Sequence, residues 1–259
     1  KADEIDQVRG AFSSMADKIR EQFEGLQETD RLRRELVSNV SHDLRTPLAS
    51  MHGYVETLLL KNDSLNEAER MRYLEITRKH TLRLRQLIGD LFELSKLDSA
   101  SVKPSLEWFS LAELLQDVTQ EFELEAERKG IRIEADSRYE AFMVYADIGL
   151  IQRVLENLLR NALKHTQQGG TVSISLDPRP GRVAVSVSDT GCGIAEHELE
   201  RIFDRFYRSQ QGEEERSNSA GLGLAIVKRI LDLHGSRITV TSKPEQGTCF
   251  EFDIPARAA

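Results

Sequence analysis

Residues 41–48 read Ser-His-Asp-Leu-Arg-Thr-Pro-Leu within a long helical pattern. The octet places the imidazole of His42 beside the carboxylate of Asp43, and the hydroxyl of Thr46 lies four residues after His42. Side chains four residues apart share a helix face, so His42 and Thr46 would lie together. Pro47 offers no N–H to the preceding turn, and we expect the helix to bend there. His42 is compatible with a nucleophile or with an ordinary solvated histidine. The octet alone does not separate these two interpretations, and the motifs downstream are needed.

A second polar stripe lies on a helix predicted over residues 147–165. Its members fall on one helix face and are Asn157, Asn161, Lys164 and His165. A carboxamide oxygen is a hard ligand suited to Mg²⁺, an ion that also takes waters and phosphate oxygens. Lys164 would then offset phosphate charge. An ordinary polar helix face is the competing interpretation, and the stripe alone does not separate the two.

The turn Asp189-Thr-Gly-Cys-Gly193 follows directly on a predicted strand. Glycine lets the backbone approach a ligand closely. A carboxylate can accept a hydrogen bond from the exocyclic amine of adenine and would repel the carbonyl of guanine. Asp189, Gly191 and Gly193 therefore predict an adenine site, although Asp-x-Gly-x-Gly is also a common turn sequence.

Residues 221–227 read Gly-Leu-Gly-Leu-Ala-Ile-Val and open a predicted helix. Free N–H groups at a helix N-terminus bind phosphate. The preceding segment, 209–220, is polar and rich in Glu, Gln and Ser, which predicts a mobile loop able to close over a nucleotide as a lid. A surface loop without function is the alternative.

The composition bounds the class of protein. The chain has 259 residues, enough for one or two domains, and its net charge of −8 argues against nucleic acid as the main partner. Cys192 and Cys249 lie far apart and are expected to be reduced thiols of a cytosolic protein. No apolar run approaches the roughly 18 residues of a membrane span. Because the chain opens part-way into a helical pattern, we expect a portion of a longer protein, and an upstream membrane anchor is left open.

The first helix changes its apolar spacing along its length. A coiled-coil seam at three-and-four spacing comprises Ile5, Val8, Phe12, Met15, Ile19 and Leu26. Packing of a solvated helix on its own domain is the alternative. From Leu36 to Leu48 the apolar residues step by four, which locally unwinds a supercoil. We hypothesise that residues 36–48, which include His42, have two arrangements that differ in access to the histidine.

A polar loop at 61–66 and a second helix complete a predicted helical hairpin. One stripe of the second helix comprises Leu74, Thr77, Thr81, Leu84, Ile88 and Leu91. Pairing of the two apolar stripes with each other would leave part of their surface exposed, so we expect dimerisation into a four-helix bundle. Residues 99–104 are small and polar and predict a linker.

Beyond the linker, helices and mostly antiparallel strands interleave, which predicts a two-layer α/β sandwich and an α+β fold for the whole chain. Ser110 and Glu113 form a capping box that opens a helix ending near Gly130. The other predicted elements are strands at 131–135 and 141–145, the helix at 147–165, a hairpin of 171–176 and 183–187, a helix at 221–234 and strands at 238–241 and 249–254.

In this order and context the motifs closely resemble those of the sensor histidine kinases of two-component signalling, over essentially the whole chain. The matching segments are an H box at 36–48, an N box at 157–165, a G1 box at 189–194, an F box at 203–207, a G2 box at 221–227 and a G3-type turn at 247–248. The resemblance implies a HAMP-like C-terminal signalling helix at 1–30, a dimerisation and phosphotransfer hairpin at 31–100, a linker at 101–109 and a catalytic ATP-binding domain at 110–259.

The resemblance also implies roles for individual residues. His42 would accept the phosphoryl group, Asp43 would take the proton from one ring nitrogen so that the other attacks, and Thr46 would orient water for dephosphorylation. Asn161 would hold Mg²⁺. The remaining residues implied to bind or enclose ATP are Asn157, Lys164, His165, Asp189, Gly191, Gly193, Ile194, Phe203, Phe206, Gly221, Leu222, Gly223, Leu224 and Thr248.

One position departs from the family pattern. The second glycine-rich box often begins Gly-x-Gly-x-Gly, and here Ser219 replaces the first glycine. We expect slower closure of a lid braced by Phe203 and Phe206, with nucleotide binding retained through Gly221 and Gly223.

Two other classes share parts of the pattern. Gyrase-type and chaperone-type ATPases have the related fold but hydrolyse ATP with a glutamate where this chain has Asn157, although Glu156 is adjacent. A non-catalytic dimeric scaffold would bind nucleotide only structurally, and the set of Asn157, Asn161 and Asp189 argues against it. Walker-type kinases are excluded because the chain has no Gly-Lys dipeptide.

The implied function is that of the cytoplasmic portion of a sensor histidine kinase that uses ATP and Mg²⁺. It would autophosphorylate His42, pass the phosphoryl group to an aspartate of a response regulator, and remove it again. The implied partners are a second copy of the chain bound through the hairpin, the response-regulator receiver domain and an upstream sensor or membrane module, but not nucleic acid. The full-length protein would lie in a bacterial membrane. The signal, the regulator, and phosphorylation within or between chains are left open.

Overall fold

The protein is described from a computed structural model that covers residues 2–61, 64–99, 103–135, 142–208 and 221–258. Its contacts divide the chain into two compact units, one of residues 1–84 and the other of residues 85–259. The division falls inside the second long helix.

Two long helices form the first unit. Helix α1 spans Ala2–Leu60, and helix α2 spans Glu67–Asp98, of which the residues up to Leu84 belong to this unit. The predicted helical hairpin is thereby confirmed, and α1 continues through Pro47. Residues 62 and 63 of the predicted polar loop lie outside the described part of the chain. Of the predicted seam, Met15 and Ile19 are exposed, and the other side chains lie outside the described part of the chain.

Helix α2 begins with a reciprocal cap. The backbone N–H of Asn66 donates to the Glu69 carboxylate at 3.0 Å, and the N–H of Glu69 donates to the Asn66 side-chain oxygen at 2.9 Å. Further along, Thr81 donates to the sulfur of Met51 at 3.1 Å, which ties the two helices together. These contacts fix where the hairpin turns.

Many apolar side chains of the hairpin remain exposed. Of the predicted stripe on α2, Leu74 and Ile88 are exposed, while Thr77 and Leu84 are half-buried. The exposed set also includes Leu48, Val55, Leu59, Leu60, Met71 and Leu82. A hairpin with this much apolar surface needs more cover than its own two helices supply.

The second unit holds the end of α2 and an α/β layer structure. Its further helices are α3 (Leu111–Lys129), α4 (Ile148–His165) and α5 (Gly223–Leu233), with a short 3₁₀ turn at Glu196–Glu198. Its strands are β1 (Glu107–Ser110), β2 (Arg132–Ala135), β3 (Phe142–Ala146), β4 (Thr171–Arg179), β5 (Arg182–Asp189), β6 (Ile238–Ser242) and β7 (Thr248–Ala258). The predicted two-layer sandwich and α+β fold are confirmed.

The seven strands form one sheet in the order β1-β3-β7-β5-β4-β2, with β6 also paired to β7. All pairs are antiparallel except β2 with β4. The β5–β7 register places Asp189 opposite Thr248. Two residues predicted for the nucleotide site therefore meet at one end of the central strand pair.

The helix layer buries apolar faces. The face of α4 that carries Ile151, Val154 and Leu158 is fully buried, as its apolar periodicity predicts. Ser110 caps α3 by accepting a hydrogen bond from the backbone of Glu113, and the helix ends as predicted at Gly130 in a left-handed conformation.

Strand β1 was not predicted. It is only four residues long and pairs with β3, which lies more than thirty residues downstream. Trp108 lies in this strand and is 42% exposed. Its ring packs on Tyr145, with the Arg257 guanidinium 4.3 Å from its centroid.

The end of α2 is bound by an arginine of α4. Arg153 donates to Asp90 at 2.9 Å and to Glu93 at 2.8 Å, and it also pairs with Glu156 on its own helix. Asp90 is buried. Burial raises the pKa of the Asp90 carboxyl, the Arg153 charge opposes that rise, and the Glu93 charge adds to it.

Two further arginines reach the last turn of α2. Arg205 pairs with the Asp98 carboxylate at 2.8 Å, and Arg229 donates to the carbonyl of Leu97 at 3.0 Å. Cations at a helix C-terminus are favoured by the unpaired carbonyls and the helix dipole. Arg153, Arg205 and Arg229, here called the arginine seat, thus hold one helix end from three separate segments.

The part of the chain that the structure describes contains no helix long and apolar enough to cross a membrane. Cys192 and Cys249 form no disulfide bond.

The arginine seat generates a prediction about stability. Replacing Arg153→Met leaves Asp90 buried beside Glu93 without its countercharge, and we expect the second unit to lose about 2–4 kcal/mol of unfolding free energy. Burial already raises the pKa of Asp90, and removal of the opposing Arg153 charge raises it further in the variant, so the variant loses more unfolding free energy than the wild type as pH rises. The loss should therefore be larger at pH 8 than at pH 5, as measured by urea unfolding.

The matched control is Arg179→Met, because Arg179 makes an exposed ion pair with Glu251 at 2.9 Å. This variant should change stability little at either pH. Equal losses for the two variants, or a loss at Arg153 that does not depend on pH, would contradict the assigned role.

Candidate nucleotide site and phospho-acceptor site

His42 projects from α1 in the first unit. Its side chain is 79% exposed, and Nδ1 lies 3.2 Å from the carboxylate of Asp43, which is nearly buried. A carboxylate accepts a proton donor, so this contact favours the tautomer with hydrogen on Nδ1 and the lone pair on Nε2. Sequence spacing predicted this pair, and the structure brings it together.

Thr46 lies one turn beyond His42, as predicted. Its hydroxyl donates to the backbone carbonyl of His42 at 3.2 Å, a bond that threonine commonly makes within helices. Pro47 follows it and is buried. The carbonyl of Asp43 receives no N–H from Pro47, so the backbone of the octet is anchored differently from that of a regular helix.

The polar stripe of α4 divides into a buried and a half-buried part. Asn157 is buried, its amide nitrogen donates to the carbonyl of Arg153 at 2.9 Å, and its side-chain oxygen faces Gly223 at the start of α5. Asn161, Lys164 and His165 are half-buried. Asn157 therefore joins α4 to α5, and the other three remain as candidate contacts for a ligand.

Asp189 is buried at the end of β5. Its carboxylate accepts the backbone N–H of Gly191 at 2.8 Å. Burial raises the pKa of the Asp189 carboxyl, and backbone N–H groups of Gly191 and Thr248 oppose that rise. A buried carboxyl with part of its hydrogen-bonding capacity left is suited to one well-placed donor.

Three glycines bring backbone segments together around Asp189. A side chain at Gly191 would strike the carbonyl of His165, and one at Gly193 would strike the carbonyl of Lys243. One at Gly247 would strike the carbonyl of Asp189 itself. Gly193 and Gly247 also have φ of 70° and 84°, which favours glycine. The predicted G1 and G3 turns therefore pack on each other, and the G1 turn also packs on the end of α4.

Ser242 joins these turns and was not identified from the sequence. It accepts the N–H of Ile194 at 2.8 Å and gives its single hydroxyl hydrogen to the carbonyl of Gly247 at 2.7 Å. The Thr248 hydroxyl, 2.9 Å away, must then be the donor to Ser242. A lone serine at a strand end gives no sequence signal, because its partners are brought close only by the fold.

The start of α5 is held by the F-box segment. The N–H of Phe206 donates to the carbonyl of Gly221 at 2.8 Å, and Leu222 is buried. Phe203 packs edge-on against Phe250 with ring centroids 6.3 Å apart. No side chain of the described residues caps α5. The N–H groups in the first turn of a helix have no partner within the helix.

The structure thus brings together the predicted nucleotide residues of the second unit through α4, which contacts both the G1 turn and the start of α5. Leu224 lies in the first turn of α5 and is half-buried. The predicted lid at 209–220, with Ser219, lies outside the described residues. The described residues hold no cluster of three or more His, Cys, Asp or Glu suited to a metal.

Family models match both units of the chain. Residues 32–100 match the His Kinase A (phospho-acceptor) domain, and residues 146–258 match the histidine kinase-, DNA gyrase B- and HSP90-like ATPase. The chain is 35% identical over 231 residues to the sensor histidine kinase WalK of Bacillus subtilis (strain 168), covering 88% of this chain and 38% of that protein. It therefore spans well under two thirds of this relative.

Solved structures agree with this match. Full-length ShkA in complex with AMPPNP is 31% identical with a TM-score of 0.62, covering 87% of this chain and 46% of that one. The histidine kinase ThkA in complex with the response regulator protein TrrA is 27% identical with a TM-score of 0.69, covering 85% and 61%. Fold, site and relatives define one class, and the chain belongs to the sensor histidine kinases of two-component systems.

The glycine contacts generate a prediction. Alanine at Gly193 would combine an unfavourable positive φ, costing about 1–2 kcal/mol, with a clash against the backbone of Lys243. We expect Gly193→Ala to lower the melting temperature and to disorder the G1 turn, measured by thermal unfolding and by amide hydrogen exchange at residues 189–194.

Gly169→Ala is the matched control, because Gly169 has a similar φ of 85° but open space around it. This variant should show only the backbone cost. Indistinguishable melting temperatures and exchange rates in the two variants would show that the close approach at Gly193 contributes nothing.

Proposed function

We propose that this chain is the ATP-dependent catalytic portion of a sensor histidine kinase, which phosphorylates its own His42 and passes the phosphoryl group to an aspartate of a response regulator. The observation that carries the proposal is the arrangement of three segments beside α4: the turn at 189–194 packs on the end of α4, the start of α5 faces Asn157 of α4, and the turn at 247–248 packs on the turn at 189–194. Two glycine turns and an uncapped helix start beside one polar helix face favour a ligand site over a purely structural role for α4.

Asp189 would select adenine. An ionised carboxylate accepts a charge-assisted hydrogen bond from the adenine amine, whereas the carbonyl of guanine would face it with like partial charge. Burial strengthens that bond because water does not compete. Since burial also raises the pKa of Asp189, adenine recognition should weaken as pH falls through that raised value.

The phosphates would lie toward the other end of the site. The uncapped N-terminus of α5 offers N–H groups to anionic oxygens. Asn161 would hold Mg²⁺ through its amide oxygen, with phosphate oxygens and waters as the other ligands. A single amide ligand fits the lack of an acidic cluster among the described residues, because Mg²⁺ is commonly held by few protein groups and by its substrate. Lys164 and His165 would neutralise phosphate charge.

His42 would be the nucleophile. With Nδ1 bonded to Asp43, the Nε2 lone pair faces outward from an exposed side chain. Nε2 would form the bond to the γ-phosphorus as the bond from phosphorus to the β–γ bridging oxygen breaks and ADP leaves. Asp43 stabilises the positive charge that develops on the ring, as the general-base arrangement requires.

The exposed apolar face of the hairpin supports a homodimer. Leu48, Val55, Leu74 and Ile88 are all exposed in the single chain. A second hairpin would cover such faces in a four-helix bundle. The solved complex of ThkA with a response regulator supports a regulator as the phosphoryl acceptor here. Placement on the cytoplasmic side of a membrane remains a proposal from the family resemblance.

One prediction of the proposed function concerns His42. His42→Ala removes the nucleophile, so incubation with γ-labelled ATP and Mg²⁺ should give no acid-labile label on the protein, while ATP affinity stays within about twofold. His52→Ala is the control, because His52 is another exposed histidine of α1, paired with Glu56. Label on the His42 variant, or its loss from the His52 variant, would contradict the assignment.

A second prediction concerns adenine recognition. Asp189→Asn keeps an oxygen for the Gly191 N–H but loses the charge, so ATP affinity should fall at least tenfold, or about 1.4 kcal/mol, by calorimetry at pH 8. The melting temperature should not fall, since the cost of burying a charge is removed. Wild-type affinity should decline toward acid pH while that of the variant stays low.

Asp177→Asn makes the same change at an exposed carboxylate of β4 and should alter neither property. Unchanged affinity at position 189 would refute the site, and a lower melting temperature there would point to a folding role.

We also propose that the protein removes the phosphoryl group from its regulator, with Thr46 orienting the water. Thr46→Ala should keep autophosphorylation and lose most dephosphorylation of a phosphorylated receiver domain. Thr57→Ala is a close control, because Thr57 makes the same bond to a carbonyl one turn back, at 2.8 Å to Gly53. Parallel loss of both activities in the Thr46 variant would show that its hydroxyl acts through the helix backbone.

A further inference from the structure

The 3₁₀ turn at Glu196–Glu198 carries a buried carboxylate to which the proposed mechanism assigns no role. Glu198, at the end of the 3₁₀ turn, is only 3% exposed, and its carboxylate accepts the hydroxyl of Tyr207 at 3.0 Å. The Arg201 guanidinium lies 4.8 Å from the centroid of the Tyr207 ring. A carboxylate is rarely buried this deeply unless its bonds hold something in place.

The residue before Tyr207 has a strained backbone. Phe206 has φ of 62°, a region that bulky residues avoid and that costs about 1–3 kcal/mol. Such a conformation persists only where its neighbours fix it. The Phe206 N–H donates to the carbonyl of Gly221, the Tyr207 N–H donates to the carbonyl of Asp204 at 3.2 Å, and the Tyr207 hydroxyl donates to Glu198. Bonds at Phe206 and Tyr207 therefore hold the strained backbone.

The strained segment packs directly on the phosphate end of the proposed site. Gly221 has φ of 66°, and a side chain there would strike the backbone of Phe206 and Tyr207. Two residues later Gly223 opens α5 and faces the side-chain oxygen of Asn157. A shift of the Tyr207 backbone would therefore move Gly221, and with it the turn that would bind phosphate.

We propose that Glu198 and Tyr207 are positioning residues that set the Gly221–Gly223 turn for the phosphate chain of ATP. Neither touches the reacting atoms. The inference rests on the proposed function, because the turn has to bind phosphate for its position to matter. Burial and the bond to Glu198 both raise the pKa of Tyr207, which agrees with a protonated hydroxyl as the donor in that bond.

The test separates phosphate binding from adenine binding. Tyr207→Phe removes one oxygen and releases the turn, so ATP affinity should fall about fivefold to tenfold while adenosine affinity, which depends on Asp189, stays within twofold. In autophosphorylation the same variant should raise KM for ATP and lower kcat. Tyr145→Phe is the control, because Tyr145 is a half-exposed tyrosine of β3 away from the turn.

Variants of Glu198 identify the bond. Glu198→Gln keeps an oxygen acceptor for the Tyr207 hydroxyl and should preserve the ratio of ATP affinity to adenosine affinity. Glu198→Leu should reduce it as Tyr207→Phe does, and the double variant should be no worse than either single one. An unchanged ratio of ATP affinity to adenosine affinity in Tyr207→Phe would overturn the inference, whether both affinities stay the same or fall equally. Failure of the wild-type chain to bind ATP would instead overturn the proposed function.

Discussion

The proposed nucleotide site depends on one costly arrangement, a carboxylate buried at the end of a central strand. Burying Asp189 is favourable only because backbone N–H groups of Gly191 and Thr248 partly replace the water it loses. The Gly191 donor lies two residues along the same turn, and the Thr248 donor reaches the carboxylate because the β5–β7 register sets residue 189 opposite residue 248 and Gly247 allows a close backbone approach. The sheet register and the glycine turns are therefore both required for the buried carboxylate on which the chemistry of the proposed site depends.

Helix α4 connects this constraint to the rest of the second unit. One face supplies core, another faces the proposed ligand, and a third carries Arg153 to the acidic end of α2. Its contacts are of different physical kinds, namely apolar burial, backbone hydrogen bonds and partly buried ion pairs. A displacement of α4 would disturb all of them together, because a close-packed core has few intermediate positions.

The sequence predicted those features that depend on local chemistry. Periodicity placed the helices, Ser110 and Gly130 bounded α3, and the glycine turns were found because each has a recognisable spacing. Strand β1 was missed because four residues pairing with a distant strand have no local signature. Ser242, Glu198 and Arg153 were missed for the same reason, since the partners of each side chain become neighbours only after folding.

The arginine seat also bears on how such proteins can be recombined. The residues from Arg85 to Asp98 belong by their contacts to the nucleotide-binding unit, although they continue the helix of the hairpin. A chimaera joined in the polar segment after Asp98 would separate Arg153, Arg205 and Arg229 from the acceptors with which they fit. A join placed before Arg85 would keep each arginine with its own acceptors, so the module that can be exchanged intact begins within a helix.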